Sequence, residues 1–490
     1  MYPKTLILSA ATTALLALEQ LPFAFGYTRL DESPLSITSK IVQTFDNESF
    51  GAVLNDTQNV WLVNFHSSWC PDCRQFALEW EKVSSVYSNV ENIHWGAVDC
   101  TTQNDICSQE GIQSYPRVKM YHVPPDAKEA ITMPFGRDMN ARYVAKWIEE
   151  TLKDNKMQRG IDVDEVYPPN NVSRNPKKMF GDPVEPLYDD RSVDVQLKRL
   201  KAAGTTALFT FEVGFFMGTT VLQGKRYEAA VTWVRTLAAS FPFKENRDAF
   251  AKLVDAMKEQ KRWKQADWNN LINRWKVTAN AMSYPSNLFA DKDVLYMCKT
   301  FMCGFWTLFH TLTVSDVTSE SSMEQWKPSE IVLAIRLVVQ YFFGCEMFKR
   351  RFLTVNTKTV IENLALIDED GPNTVILWIW TVHNIVNMFY GKSMWPTKLS
   401  CPYCYDTNIL PLSFDPTMLN EDIVAAYVRS VYKFGDKLKL EQHRLVTTPW
   451  VSMRSIATVA VLIAIFAALI QQFKHHLIGT KVLKTQDHIA

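Results

Sequence analysis

Apolar positions fall into two regimes along this chain. Val60–Phe65 (VWLVNF), Ile93–Val98 (IHWGAV) and Arg117–His122 are short runs rich in β-branched and aromatic residues, which predicts strands, with a helix over Arg74–Tyr87 after the first. From about Val193 to Lys276 the spacing changes to three and four residues, clearest in Ala229–Phe241 and Phe250–Met257, and predicts helices. Four more helical segments, 301–315, 329–343, 345–359 and 372–391, predict a small all-α bundle. Between the regimes lies a stretch rich in Pro, Asn, Asp and Lys, read as a linker over 153–190. The expected organisation is therefore multidomain: an α/β domain over 38–152, the linker, a helix-rich region over 191–289 and a helical bundle over 290–408.

The two ends carry a different pattern. In residues 1–26, Lys4 precedes the apolar run Leu6–Leu18, and Ala24 and Gly26 follow at cleavage-site spacing, which predicts a secretory signal peptide. Ser455–Phe473 carries no charge and approaches the ~20 residues that cross hydrocarbon, predicting one C-terminal transmembrane helix over 455–473. Lys474, Lys481 and Lys484 then place the tail, 474–490, on the cytosolic side. The expectation is a single-pass type I membrane protein of the secretory pathway (Golgi, ER or cell surface), its bulk lumenal or extracellular and held to the membrane by that helix. Asn47, Asn55 and Asn171 open glycosylation sequons, as such a location allows.

Composition narrows the partners. Lys plus Arg number 52 and Asp plus Glu number 52, so nothing in the charge favours nucleic acid. The nine cysteines matter more. In an oxidising compartment an even set pairs off. Proximity suggests Cys70 with Cys73, Cys100 with Cys107, Cys298 with Cys303 and Cys401 with Cys404, leaving Cys345 over. The last three pairs are read as structural disulfides, although Cys401-Pro-Tyr-Cys404 also has the form of a redox pair.

Trp69-Cys70-Pro71-Asp72-Cys73 stands between a strand and a helix. A thiol at the positive end of a helix dipole is stabilised as thiolate, and a second thiol one turn on can resolve the mixed disulfide it forms. Zinc is the competing reading, but Cys100 and Cys107 do not complete a usual zinc set, so no metal is expected. With Tyr115-Pro116 placed before a later strand as a cis-proline would be, the block 38–152 resembles a thioredoxin domain of the protein disulfide isomerase type. Two departures stand out. Asp72 puts a negative charge between the thiols, and Asn64 occupies the position where that family has a buried acid.

Further on, Trp306 and His310 are one turn apart, Trp380, His383, Asn384 and Asn387 form one helical stripe, and Lys392 and Trp395 precede Cys401 and Cys404. In this order they resemble the flavin-binding domain of the Erv/ALR sulfhydryl oxidases. Joined to a thioredoxin domain, the chain resembles a quiescin sulfhydryl oxidase, with room for one thioredoxin domain only. That resemblance implies FAD held by Lys299, Trp306, His310, Arg351, Trp380, His383, Asn384, Asn387, Lys392 and Trp395. It implies that reduced protein substrates pass electrons through Cys70 and Cys73 to Cys345, then to FAD and dioxygen, giving hydrogen peroxide. The family keeps a second sulfur three residues after the Cys345 position, where this chain has Phe348, and a histidine where it has Arg351. Two readings follow: an FAD-linked thiol oxidase with impaired turnover, or a disulfide exchange or thiol-binding protein whose flavin domain survives as a fold.

Overall fold

The computed structural model describes residues 40–168, 192–278, 301–315, 327–355, 371–405 and 420–434, with short gaps inside some of these ranges. Five strands, β1 (Val42–Thr44), β2 (Val60–His66), β3 (Ile93–Asp99), β4 (Arg117–Tyr121) and β5 (Ile131–Thr132), form one sheet in the order β1-β3-β2-β4-β5. β2 lies parallel to β3, with Val60 opposite Ile93 and His66 opposite Asp99, and antiparallel to β4, with Trp61 opposite Tyr121. All seven β2 residues are buried, so a strand covered on both faces reads as a mainly apolar run, interrupted by Asn64 and His66.

Helices cover this sheet: α1 (Gly51–Asn55), α2 (Pro71–Val86), α3 (Asn104–Gln109) and α4 (Ala141–Asp154). α2 docks through Trp80, whose ring meets the edge of Trp95 on β3 at 4.7 Å. α4 starts where the Asn140 side chain accepts the Tyr143 amide at 2.9 Å. The chain leaving α4 does not yet behave as the expected linker. Buried Glu149 accepts the Tyr87 hydroxyl at 2.7 Å and the amides of Gly160 and Ile161 at 3.1 Å. A short helix, α5 (Val163–Val166), follows, capped by Asp162. Turn-forming composition marked this stretch as linker, and one buried carboxylate fastens its first part to the sheet domain.

Beyond it come α6 (Val193–Glu212), α7 (Gly224–Ser240), α8 (Lys244–Met257) and α9 (Gln265–Thr278), with a two-stranded ribbon of β6 (Val221–Leu222) and β7 (Trp263–Lys264). Buried indoles fix their packing: Trp268 donates to the Phe211 carbonyl at 2.8 Å and Trp275 to that of Ala249 at 2.7 Å. The bundle proper holds α10 (Phe301–Thr313), α11 (Pro328–Phe342), α12 (Glu346–Val355), α13 (Asn373–Phe389) and α14 (Glu421–Tyr432). α14 lies beyond the boundary at 408 expected from sequence. α10 approaches α6 closely at Gly304, where any Cβ would stand 2.1 Å from the Thr206 hydroxyl oxygen.

The α/β and helical parts belong to one compact unit. Ser108 on α3 donates to the Phe216 carbonyl at 2.9 Å, and Gly218, with φ at +66°, fits against the Ile112 carbonyl where a side chain would collide. Arg226 on α7 donates to the Tyr341 carbonyl at 2.7 Å and to those of Phe215 and Met217 at 3.1 Å, holding the end of α11 in place. Among the described residues, no helix is long and apolar enough to cross a membrane. The signal peptide, Asn171, Cys298, Lys299, Lys392, the 455–473 segment and the tail all lie outside the described residues.

Candidate active site

β2 ends at His66, and Ser67-Ser68-Trp69 carry the chain over the sheet edge to Cys70, the N-cap of α2, with Pro71 at the first helical position. The amides of Cys73 and Arg74 donate back to the Cys70 carbonyl at 3.1 and 3.2 Å. Opposite lies the loop before β4, where the Tyr115-Pro116 peptide is cis, as the sequence predicts.

The expected pairing of Cys70 with Cys73 is wrong. Cys70 is bonded to Cys345, the Cα atoms 5.6 Å apart, and Cys73 is a buried free thiol. Sequence proximity joins neighbours, whereas the fold brings the start of α12 to the start of α2. Backbone contacts hold the junction: the Tyr115 amide donates to the Gly344 carbonyl at 2.6 Å, and the Glu346 amide donates to the Tyr115 carbonyl at 3.1 Å. Trp69 covers one side, its ring 5.0 Å from that of Phe343. Cys70 and Cys345 are both 0% exposed. Two other expected pairs form, Cys100 with Cys107 and Cys401 with Cys404, and Cys303 is disulfide-bonded.

Burial pushes the Cys73 thiol well above its ordinary pKa, with Asp72 and Asp99 adding to the rise and the Ser67 amide, 3.5 Å from its sulfur, opposing it. Asn64, where the family's acid would stand, is fully buried, and neither its amide oxygen nor its nitrogen finds a partner. Burial likewise lowers the His66 pKa, against the pull of Asp99. Cys73 therefore gives up its proton reluctantly.

Phe348, three residues after Cys345, is 1% exposed and wedged between Phe343 at 4.6 Å, Phe352 at 5.9 Å and Trp306 at 5.9 Å. Behind it, the residues singled out from α10 and α13 converge. Trp306 and His383 stack at 4.1 Å and 11°, and His310 Nε2 lies 3.0 Å from His383 Nδ1. Asn384 accepts the Trp395 amide at 2.8 Å and donates to the Trp395 carbonyl at 2.8 Å, which also accepts the Trp380 indole at 2.7 Å. Asn387 is buried on the same helix. Arg351 faces elsewhere in part: it lines a cleft beside the disulfide with Asp72, Glu79, Pro116, Phe135 and Met347.

One participant, Tyr432, and one contact, that of Asp72 with Cys345, escaped the sequence reading. Tyr432 on α14 stacks on His310 at 4.8 Å and 19°, and its signal was the apolar spacing Val424, Val428, Val431–Tyr432. Asp72 touches Cys345, its Oδ2 3.1 Å from the sulfur, a contact between positions 273 apart that local pattern does not show. A flavin fits this chemistry: His310 Nδ1 is buried with no protein partner, among flat aromatic faces that suit a heteroaromatic ring. Burial also holds the His310 pKa down to about 3. Unfolding lets this ring protonate near 6.5, so its contribution to stability is full above about pH 6.5 and is lost as pH falls towards 3. His310→Gln should flatten that acid limb in urea midpoints measured across pH; an unchanged limb would contradict it.

Two family models match the chain, thioredoxin over residues 41–133 and the Erv1/Alr family over residues 303–403. Sulfhydryl oxidase 1 of Oryza sativa subsp. japonica is 23% identical over 450 residues, covering 83% of this chain and 80% of the relative. Sulfhydryl oxidase 1 of Homo sapiens is 24% identical over 519 residues, covering 77% of this chain and 66% of the relative. The two family models in this order, with these relatives, support the quiescin sulfhydryl oxidase family. The enzyme class of this family is thiol oxidase, its substrates are protein thiols, and such families depend on flavin in general. Among solved structures, the sulfhydryl oxidase fragment of human QSOX1 is similar with a TM-score of 0.36 and 22% identity, covering 47% of this chain and 93% of the fragment.

Proposed function

We propose that this chain is a quiescin sulfhydryl oxidase, an FAD-linked enzyme of the secretory pathway with hydrogen peroxide as its second product. The observation that carries the reading is the Cys70–Cys345 bond, which ties the thioredoxin dithiol to the helical domain. Trp306, His310, Trp380, His383, Asn384, Asn387 and Trp395 would hold the FAD, with Lys299, Arg351 and Lys392 as further candidates. When bound, FAD supplies a two-electron acceptor that dioxygen reoxidises. In the form where Cys70 is bonded to Cys73, a substrate thiolate attacks Cys70, and because Cys70 caps α2 the helix dipole favours its later departure as thiolate from the mixed disulfide. Cys73 is the sulfur released from Cys70 by that attack, and its burial favours protonation once free. A second substrate thiolate then attacks the substrate sulfur of that mixed disulfide, so the substrate leaves oxidised and Cys70 leaves as thiolate. Re-forming the Cys70–Cys345 bond, with Cys345 held beside Cys70 by the Tyr115 backbone, would pass two electrons to bound FAD.

The signal peptide, the spanning segment and the sequons support a membrane-anchored, lumenal glycoprotein, and Asn47 and Asn55 are exposed. A second reading, favoured by Phe348 in place of the flavin-side sulfur, keeps disulfide exchange and lacks oxidation. Purified full-length protein separates the two. The oxidase reading predicts a flavin absorption spectrum and peroxide formation with a reduced protein substrate. A colourless preparation that exchanges disulfides without consuming oxygen would replace it with the second.

A further inference from the structure

Asp72 sits in the first turn of α2, buried, with its Oδ2 3.1 Å from Cys345 Sγ. While Cys345 is bonded to Cys70 its sulfur has no proton to give, so a carboxylate oxygen rests against sulfur lone pairs. The separation suits a different state, one in which Cys345 is a thiol donating to that carboxylate. Cys73, the free thiol at the same helix end, supplies the route to that state.

We infer that Asp72 is a positioning residue that holds Cys345 as a thiol and so sets which of two disulfides the three sulfurs share. The inference deepens the exchange step of the function proposed above and rests on it only in taking Cys70 as the sulfur that substrates meet. In the closed isomer the bond joins Cys70 to Cys345. The Cys73 thiolate attacks Cys70 Sγ, the Cys70–Cys345 bond breaks, and the Cys70–Cys73 bond forms. Cys345 leaves as thiolate and takes up one proton, matching the one Cys73 released. No electrons enter or leave, so the interchange needs neither oxidant nor reductant.

The consequence is control of access. With both sulfurs of the closed bond fully buried, an external thiol reaches neither. Only the opened isomer, in which the thioredoxin pair is no longer bonded to α12, exposes Cys70 to a substrate. Asp72 stabilises that opened isomer through the hydrogen bond it gains there. Its charge also opposes Cys73 ionisation, which slows the interchange without altering which isomer the hydrogen bond favours.

The test reads the disulfides directly. Oxidised full-length protein is incubated without oxygen, quenched in acid, alkylated and digested without reduction, and the Cys70–Cys345 and Cys70–Cys73 peptides are counted by mass spectrometry. A chelator is included because Cys70, Asp72 and Cys345 place two sulfurs and a carboxylate within 4.8 Å. Asp72→Asn and Asp72→Ala should each raise the ratio of closed to opened isomer about tenfold or more, the scale of a hydrogen bond to a charged group. Cys73→Ser should leave only the closed isomer, with Cys345 protected from alkylation. A ratio that stays within twofold of wild type in both Asp72 variants, or Cys345 labelled in Cys73→Ser, would overturn the inference. Because neither flavin nor oxygen takes part, absent oxidase turnover would count against the function proposed above and leave this result standing.

Discussion

Cys345→Ser should reduce substrate-driven oxygen consumption on the order of 10³-fold or more, as removal of a member of a catalytic unit does, while Cys70 and Cys73 continue to exchange disulfides. The reason is connectivity: among the described residues, Cys345 is the one sulfur of the helical domain bonded to the thioredoxin pair. The same change should lower stability. The bond joins positions 275 apart, and the chain-entropy treatment assigns a loop of that length at most about 6 kcal/mol. Oxygen uptake and denaturant midpoints, each with and without reductant, measure the two effects. Undiminished oxygen uptake in the serine variant would show that electrons leave the thioredoxin pair by another route, with Cys401 and Cys404 the first to inspect.

Phe348→Cys should act in the opposite direction on activity and in the same direction on stability. A dithiol couple moves two electrons because one sulfur attacks while its partner leaves, and a cysteine here would give Cys345 a partner within one helical turn. We expect oxidase turnover to rise about tenfold or more, as restoring a member of a covalent relay should. Phe348 is almost fully buried among Phe343, Phe352 and Trp306, so truncating it should cost about 3 kcal/mol. Phe348→Ala is the control, with a similar stability loss and no gain in turnover. If alanine raised turnover equally, relief of a steric block rather than a new sulfur would be the cause.

The parts of this molecule that were legible in its sequence are those written by neighbours. Val60–Phe65 reads as a buried central strand because both its faces are covered, and the Cys-x-x-Cys after it reads as a helix start because Pro71 fits there. Trp306 with His310, and Trp380 with His383, Asn384 and Asn387, lie at helical spacing, so their convergence needed only α10 to face α13. What was hidden depends on tertiary position. The nearest cysteine to Cys70 in sequence is three residues away, yet its partner is 275 away. Tyr432 lies past the expected domain limit, and nothing local marks its ring as a cover for His310. Residues 160–166 have the composition of a linker and are held by Glu149, whose role is invisible without the fold.

The backbone bridge between Tyr115 and Cys345 stands where a substrate peptide would pair. The chain beside the cis-proline, just before β4, offers one N–H and one C=O, and both are already engaged by Gly344 and Glu346. A substrate peptide that pairs there competes with a segment of the same molecule. A tethered competitor acts at an effective concentration on the order of millimolar. Weakly binding thiols would therefore be excluded by tethering alone, and partners with tighter peptide contacts would be selected.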